Sequence, residues 1–232
     1  MKKVFLSIVS VFTLSLSAQP FAYQSGEKTI SLGVNSVFSY FGNFFSRNDN
    51  FTNQLSIPID GNFVYRHFHT PTNATRYQFS LFLNQTNTGS INIGTAENNF
   101  FFNASYLWGR EKHVYLNKFN VYSFYGIGPG LLYRSNVRED FNVAPNEKVT
   151  QVDGPVISAL ATAGIGLEYR FSQRFFIGAD ASVQGNVRYS VQNRIERLDK
   201  TTNQLNVNES RNSISASLFI INSVIFRAGI RF

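Results

Sequence analysis

The sequence contains no cysteine, one methionine, one tryptophan and few charged residues. The absence of cysteine excludes disulfide scaffolds, cysteine-ligated zinc sites, iron–sulfur clusters and thiol nucleophiles. Charged residues make up 15% of the 232 positions, against about 25% in an ordinary globular protein. Hydrophobic residues still make up 43%, with 24 phenylalanines and 11 tyrosines. The chain is therefore expected to fold as one domain of ordinary size, and not to be disordered.

Beyond the first 22 residues the sequence also lacks any apolar run of about 18 residues, so no membrane-spanning helix is predicted there. The N-terminus itself is typical of an export signal, because Lys2 and Lys3 precede a short apolar run from Val4 to Leu16. Small residues between positions 17 and 22 offer cleavage sites. We predict a signal peptide over residues 1–22 and a mature domain over residues 23–232. An uncleaved anchor or a buried N-terminal helix is the alternative.

Apolar residues recur at every second position over several long stretches, which predicts β-strands. The clearest stretch is residues 158–171, where the odd-numbered positions from Ala159 to Phe171 are apolar. The even-numbered positions are small or polar, except Leu160. After a link of three residues the alternation resumes at Phe175. This pattern predicts a tight hairpin of two long strands.

The whole pattern predicts eight strands with connections that alternate between long and short. The predicted strands cover residues 28–41, 55–69, 76–84, 99–115, 121–134, 158–171, 175–188 and 213–232. The long links are residues 47–54, 85–98, 135–154 and 192–211, and the short ones are 70–75, 116–120 and 172–174. This rhythm is typical of transmembrane β-barrels. We therefore predict an all-β fold, namely a closed antiparallel eight-stranded transmembrane β-barrel, with ten strands as the alternative.

A soluble β-sandwich or a lipocalin-like barrel would also show alternation. Soluble strands are usually about 3 to 10 residues long, whereas several stretches here are longer. Aromatic residues at the ends of one face, with aliphatic residues between them, match a lipid-facing band better than a soluble core. Within the fifth strand, Pro129 and the glycines of residues 126–130 predict a bulge or bend.

The signal sequence, the long strands, the segment GIGLEYRF at residues 164–171 and the ending FRAGIRF resemble the OmpA-like and OmpX-like outer-membrane barrels of Gram-negative bacteria. The abundance of asparagine and phenylalanine is similar to that of members from Bacteroidota. The resemblance implies a monomer in the outer membrane, with its lipids, lipopolysaccharide and the barrel assembly machinery as partners. In that family the machinery reads a C-terminal ending of the type formed here by Phe226, Ile230 and Phe232. A peptidoglycan-binding domain, which some relatives carry, is not expected after Phe232.

Charged residues fall on the polar phase of several strands, which would face the interior of a barrel. The residues singled out are Arg66, Glu168, Arg170, Asp180 and Arg227. The interior of an eight-stranded barrel is only wide enough to be filled by side chains, so these charges are predicted to pair and plug it. A conducting pathway for small solutes is the alternative.

Three histidines raise the question of enzymatic activity, since some outer-membrane barrels modify lipids with a histidine base. His67, His69 and His113 map to the short-turn side, away from the outer leaflet, and are predicted to lie in the membrane interface. A metal pair at His67 and His69 would lack further ligands. We predict no enzyme activity, catalytic residue, metal or cofactor, and keep a lipid-modifying enzyme as a remote alternative.

The net charge of +7 is not concentrated as a nucleic-acid interface would require, because the long links carry mixed charge. The basic excess near the short turns, for example Arg76 and Lys112, is predicted to meet lipid phosphates. Nucleic acid is not an expected partner, and the sequence identifies no ligand for the loops. The predicted role is structural, or surface interaction through long extracellular loops, with a small-solute channel as the alternative.

Overall fold

The computed structural model describes residues 22–33, 55–90, 95–140 and 147–232. These residues form ten β-strands: β1 (Lys28–Gly33), β2 (Leu55–Thr70), β3 (Asn73–Ser90), β4 (Thr95–Leu116), β5 (Phe119–Asp140), β6 (Glu147–Arg170), β7 (Phe175–Ser190), β8 (Arg194–Asp199), β9 (Gln204–Glu209) and β10 (Ser213–Arg231). All strand pairings are antiparallel. The prediction of an all-β antiparallel fold is confirmed.

Three predicted features fall on other parts of the chain. The signal peptide before Ala22, the second half of the predicted first strand and the predicted link at residues 47–54 lie outside the described residues. None of the described segments forms a helix with the length and apolar character needed to cross a membrane.

Eight of the strands pair side by side in a ring. Strands β2 to β6 each pair with the next strand along the chain, β10 pairs with β7, and β1 pairs with both β10 and β2. Strands β8 and β9 form a hairpin outside this ring, where β8 pairs with the first six residues of β6. The eight predicted strands correspond to those of the ring, whereas β8 and β9 were predicted as a loop.

The strands of the ring extend further than the alternation predicts. β3 continues to Ser90 and β4 begins at Thr95, so most of the predicted loop at residues 85–98 is paired strand. The same holds between β5, which reaches Asp140, and β6, which begins at Glu147. These extensions carry polar residues on both faces, and backbone pairing needs no apolar alternation. Their sequences therefore resemble loops.

Of the bulge or bend predicted at residues 126–130, the bulge is wrong, because the strand pairing shows no register shift there. The register between β4 and β5 is the same on both sides of this segment, at Ser105↔Gly130 and Trp108↔Ile127. The irregularity lies further along β5, where the register of its pairing with β6 shifts between Leu132 and Arg134. Pro129, which has no N–H to donate, lies between the two regular parts of the β4–β5 ladder.

The ring buries polar side chains inside and exposes apolar side chains outside. Arg66 and Arg227 are 0% and 2% exposed, whereas Ile165 and Phe226 are 65% and 55% exposed. A small apolar cluster of Tyr23, Phe68 and Ala74 fills the interior near the short turns. The interior therefore holds the charges, and the outer face holds most of the large apolar surface.

Candidate functional site: a buried chain of ion pairs

Strands β2 to β7 and β10 each contribute a polar side chain to one buried cluster near the short-turn end of the ring. Each of these side chains lies within five residues of the strand end next to a short turn, or next to Phe232 in the case of β10. They are Arg66, Arg76, Glu111, Tyr122, Glu168, Arg170, Asp180 and Arg227, all at most 3% exposed. The period-two geometry of the strands turns all of them inward. The cluster therefore crosses the ring at one level.

The charged members alternate in sign and form one continuous series, which we call the ionic chain. Its successive nitrogen–oxygen distances are 3.3 Å for Arg170–Glu168, 2.7 Å for Glu168–Arg66, 2.9 Å for Arg66–Glu111, 2.5 Å for Glu111–Arg76, 2.7 Å for Arg76–Asp180 and 2.6 Å for Asp180–Arg227. Each carboxylate thus bridges two guanidinium groups. Buried charges require this kind of compensation, because an unpaired one is strongly destabilising.

Aromatic groups complete the coordination of the ionic chain. The Tyr122 hydroxyl donates to Asp180 and accepts a hydrogen bond from Arg66 Nη2 at 2.8 Å. The Tyr23 hydroxyl donates to Glu168. Arg170 stacks on the Tyr23 ring, with 3.5 Å between the guanidinium carbon and the ring centroid. These contacts satisfy lone pairs and cover guanidinium faces that water would otherwise solvate.

His113 lies beside the central carboxylate of the ionic chain. Its Nε2 is 3.0 Å from Glu111 Oε2, and its Nδ1 pairs with the Asn120 side chain. The ring is 1% exposed. The prediction that His113 lies at the membrane interface is wrong, because its strand phase is that of Glu111 and turns it inward.

Glycines provide the space for the aromatic rings. Gly166 is the cross-strand partner of Tyr122, and an added Cβ would come within 2.2 Å of that ring. Gly229 pairs with Phe176, and a Cβ added at Gly229 would likewise come within 2.2 Å of the Phe176 ring. An aromatic ring laid over a directly opposite glycine fills a narrow interior without overpacking it.

The ionic chain has four arginines and three carboxylates, so it carries one surplus positive charge. The surplus falls on its two ends, since Arg170 and Arg227 each have one carboxylate partner where Arg66 and Arg76 have two. Among the described guanidinium nitrogens of the ionic chain, four are buried without a hydrogen bond: Arg170 Nη1, Arg227 Nη2, Arg76 Nε and Arg66 Nε, although Arg66 Nε lies 2.9 Å from Glu111 Oε2.

A polar cavity of about 320 Å³ lies inside the ring next to the Arg227 end of the chain. Two amides of its wall contact the ionic chain. Asn62 accepts a hydrogen bond from Arg227 Nη1 at 2.8 Å, and Gln78 accepts one from Arg76 Nη2 at 2.9 Å. Serine, threonine, asparagine and glutamine form most of the remaining wall, and Arg188 is the charged residue among the described lining residues.

The structure brings together all five residues predicted for the interior. Arg66 and Arg170 contact Glu168, and Arg227 contacts Asp180. The sequence interpretation missed Arg76, Glu111, Tyr122 and Tyr23 as members of the cluster. Arg76 was predicted to meet lipid phosphates but lies inside, 3% exposed. Arg76, Gln78 and Ser80 are alternate residues of β3 and therefore share one face, and Gln78 and Ser80 line the interior. This spacing is the sequence signal that would have placed Arg76 inside.

The remaining predicted residues lie on the outer surface or near the short turns. Phe226, Ile230 and Phe232 are exposed on the outer face. The rings of His67 and His69 are 4.9 Å apart, and His69 Nε2 is 2.7 Å from Thr75 Oγ1. Within the described residues, histidine and acidic side chains form no group of three that could hold a metal.

No protein-family model matches the sequence, and no curated protein matches it. Among solved structures, the chain is similar to the outer membrane protein OprG from Pseudomonas aeruginosa, with a TM-score of 0.42 and 11% sequence identity. The similarity covers 91% of this chain and 98% of that chain.

Proposed function

We propose that this protein is an integral outer-membrane β-barrel, closed by the pairing of β1 with β10. The observation that carries the proposal is the polarity of the ring: charges are buried inside it, and large apolar side chains are exposed outside it. A soluble barrel has the opposite arrangement, because its outer face meets water. An apolar outer face is favourable when lipid surrounds it.

The size of the apolar face supports this proposal. On β6 the outward positions from Tyr169 to Ile157 are apolar, and twelve residues separate these two. At about 3.3 Å per residue this is about 40 Å along the strand. A strand tilt of about 45° reduces it to about 28 Å along the axis, close to the apolar band of about 25 Å in outer-membrane barrels.

The location can be tested by expressing the full chain in a Gram-negative host. We expect the protein in the outer-membrane fraction, resistant to carbonate extraction. A folded barrel should also migrate faster on a denaturing gel before heating than after it. Recovery as a soluble periplasmic monomer that needs no detergent would refute the proposal.

Within that location, we propose a structural or surface-interaction role through the extracellular segments, with the interior plugged by the ionic chain. The plug is supported by the direct contacts that cross the ring from β2 to β10. The surface role is supported by the β8–β9 hairpin, where all six residues of β9 are exposed, Leu205 and Val207 among them. Leu205 and Val207 lie two positions apart on one face of β9, where they are accessible to another molecule.

A small-solute channel is the second candidate, and the polar cavity inside the ring favours it. Planar-bilayer recordings of the purified protein separate the two. The plug predicts no steady single-channel conductance. A steady conductance that increases in the Asp180→Ser variant would favour the channel, because Asp180 holds the last two arginines across the interior.

The signal peptide over residues 1–22, the relation to OmpA-like and OmpX-like barrels of Bacteroidota, and the monomeric state remain parts of this proposal. So do the partners: membrane lipids, lipopolysaccharide and the assembly machinery that would read Phe226, Ile230 and Phe232. The absence of enzyme activity is likewise proposed.

A further inference from the structure

We propose that the cavity beside Arg227 is a binding site for a small oxyanion, with a carboxylate or a phosphate group as the recognised chemistry. The ionic chain has one more guanidinium than it has carboxylates, and its Arg227 end adjoins that cavity through Asn62. A fourth anion at this point would complete the alternation of charges.

Arg227 is under-coordinated compared with the arginines inside the ionic chain. It contacts one carboxylate, that of Asp180 at 2.6 Å, and its Nη2 has no hydrogen-bond partner among the described residues although it is buried. A buried donor without a partner is costly, and the cost is larger for a charged group. An anion that took the place of the Asn62 amide oxygen beside Arg227 would supply this guanidinium with a second negative partner.

Asn62 accepts a hydrogen bond from Arg227 that an anion in the same position would accept more strongly. Its Oδ1 accepts from Arg227 Nη1, and its Nδ2 donates to Ser80 Oγ at 2.8 Å. A hydrogen bond from a guanidinium to an anion is roughly twice as strong as one between neutral groups. Among the described residues that line the cavity, Arg188 is the one charged side chain, and none is acidic.

The other end of the ionic chain offers no comparable site. Arg170 lies under the Tyr23 ring, and its guanidinium carbon is 5.6 Å from the Tyr115 ring centroid. These rings cover it on the short-turn side. The cavity volume of about 320 Å³ is at the lower end of small-molecule sites, which measure about 300 to 1,000 Å³. The site therefore suits a small anion.

This proposal does not rest on the membrane location, because the site is inside the ring. The test uses the purified full-length protein in detergent, titrated by calorimetry with inorganic phosphate and, separately, with acetate. We expect saturable binding of one or both, and their relative affinity separates phosphate from carboxylate recognition. Absence of saturable binding of both would overturn the proposal.

Variants at Asn62 provide the sharpest test. In Asn62→Asp the new carboxylate supplies the missing charge, so the affinity should fall by about tenfold or more, a consequence of losing a charge-assisted hydrogen bond. In Asn62→Ala the competing acceptor is removed, so the affinity should rise by roughly threefold. Unchanged affinity in both variants would contradict the proposed position.

Asn206→Asp is the matched control, because it adds the same charge on β9, in the hairpin outside the ring. Asn206 is exposed and is not among the described residues that line the cavity. The affinity of this variant should stay within about twofold of the original. The heat-dependent gel shift verifies that each variant is folded.

Discussion

The bridging carboxylates are the residues on which the interior depends, because each holds two guanidinium groups that come from different strands. Glu111 is the central one: it lies between Arg66 and Arg76 and also contacts His113. Loss of its charge would leave two arginines with fewer anionic partners in a region without solvent.

Glu111→Gln is therefore expected to lower the free energy of unfolding by about 3 to 5 kcal/mol, as is usual when one partner of a buried ion pair is removed. Urea unfolding of the protein in lipid vesicles measures this. Glu196→Gln is the control, because Glu196 pairs with Arg194 on the exposed hairpin and such surface pairs contribute about 0 to 1 kcal/mol. Equal losses in both variants would contradict the role of the ionic chain.

The β8–β9 turn provides a residue whose titration can be followed in solvent. Thr202 Oγ1 and the Thr201 N–H donate to the Asp199 carboxylate at 2.7 Å and 2.8 Å. These hydrogen bonds, that of the Thr202 side chain above all, lower the pKa of Asp199. Because the pKa is lower in the folded hairpin, the stabilisation is complete above the unfolded value of about 3.9 and is lost as the pH falls through the folded pKa.

We accordingly expect amide exchange at Thr201 and Thr202 to accelerate, relative to its intrinsic rate, below about pH 4. NMR measurements of the exchange rates of these two amides over about pH 2 to 6, a range that spans the unfolded pKa of aspartate, test this expectation. In Asp199→Asn the pH dependence of protection should disappear. Its persistence in that variant would assign the effect to another group.

Part of this site was predictable from the residues alone, and part was not. Alternation placed Glu168, Arg170 and Asp180 inside because they lie between apolar residues of clear phase. Glu111 and His113 lie in a stretch where Arg110 and Lys112 alternate with them, so both phases are polar. Only pairing with the neighbouring strands determines which phase is inside, and one sequence does not contain that information.

At the scale of elements, the cross-strand pairs of glycine and an aromatic residue set how closely β5, β6 and β7 can surround the cluster. Gly166 lies against the Tyr122 ring, whose hydroxyl bonds to the ionic chain. A larger residue at this position would move that ring.

Gly166→Ala should therefore lower the free energy of unfolding by about 1 to 3 kcal/mol through overpacking. Gly185→Ala on β7 is the matched control, because its Cβ would meet Leu218 at an ordinary distance of 3.6 Å. That change should be neutral or stabilising by less than about 1 kcal/mol. Unfolding midpoints of the two variants give the comparison, and a neutral Gly166→Ala would show that the Tyr122 ring can move without cost.

The strands themselves were predictable where one face is apolar and the other polar. The alternation at residues 158–171 and 175–188 lies within β6 and β7. The hairpin of β8 and β9 was not predictable in this way, because Arg194–Asp199 and Gln204–Glu209 are polar or mixed on both faces. Their pairing is specified by the backbone and by the Asp199 turn, neither of which produces apolar periodicity.

For the molecule as a whole, the outer face gives a test that separates lipid from water. Ile165 is exposed on the outer face of β6, and Ile165→Arg should destabilise the protein in vesicles by about 2 to 4 kcal/mol. Leu205→Arg on the hairpin is the control: Leu205 is similarly exposed, and a surface change in water should cost within about 0.5 kcal/mol. Vesicle unfolding measures both, and a neutral result for Ile165→Arg would mean that this face meets water.

The junction of β1 with β10 determines the order in which the molecule can assemble. Thr29 pairs with Arg231, 202 positions later, whereas β2 to β7 each pair with a sequence neighbour. Contacts so distant in sequence form slowly, because the entropy of a long loop is lost before any bond is made. Until then both edges of an unfinished sheet are open to other chains. In refolding followed by pulsed hydrogen exchange, the amides shared by β1 and β10 should be the last to gain protection.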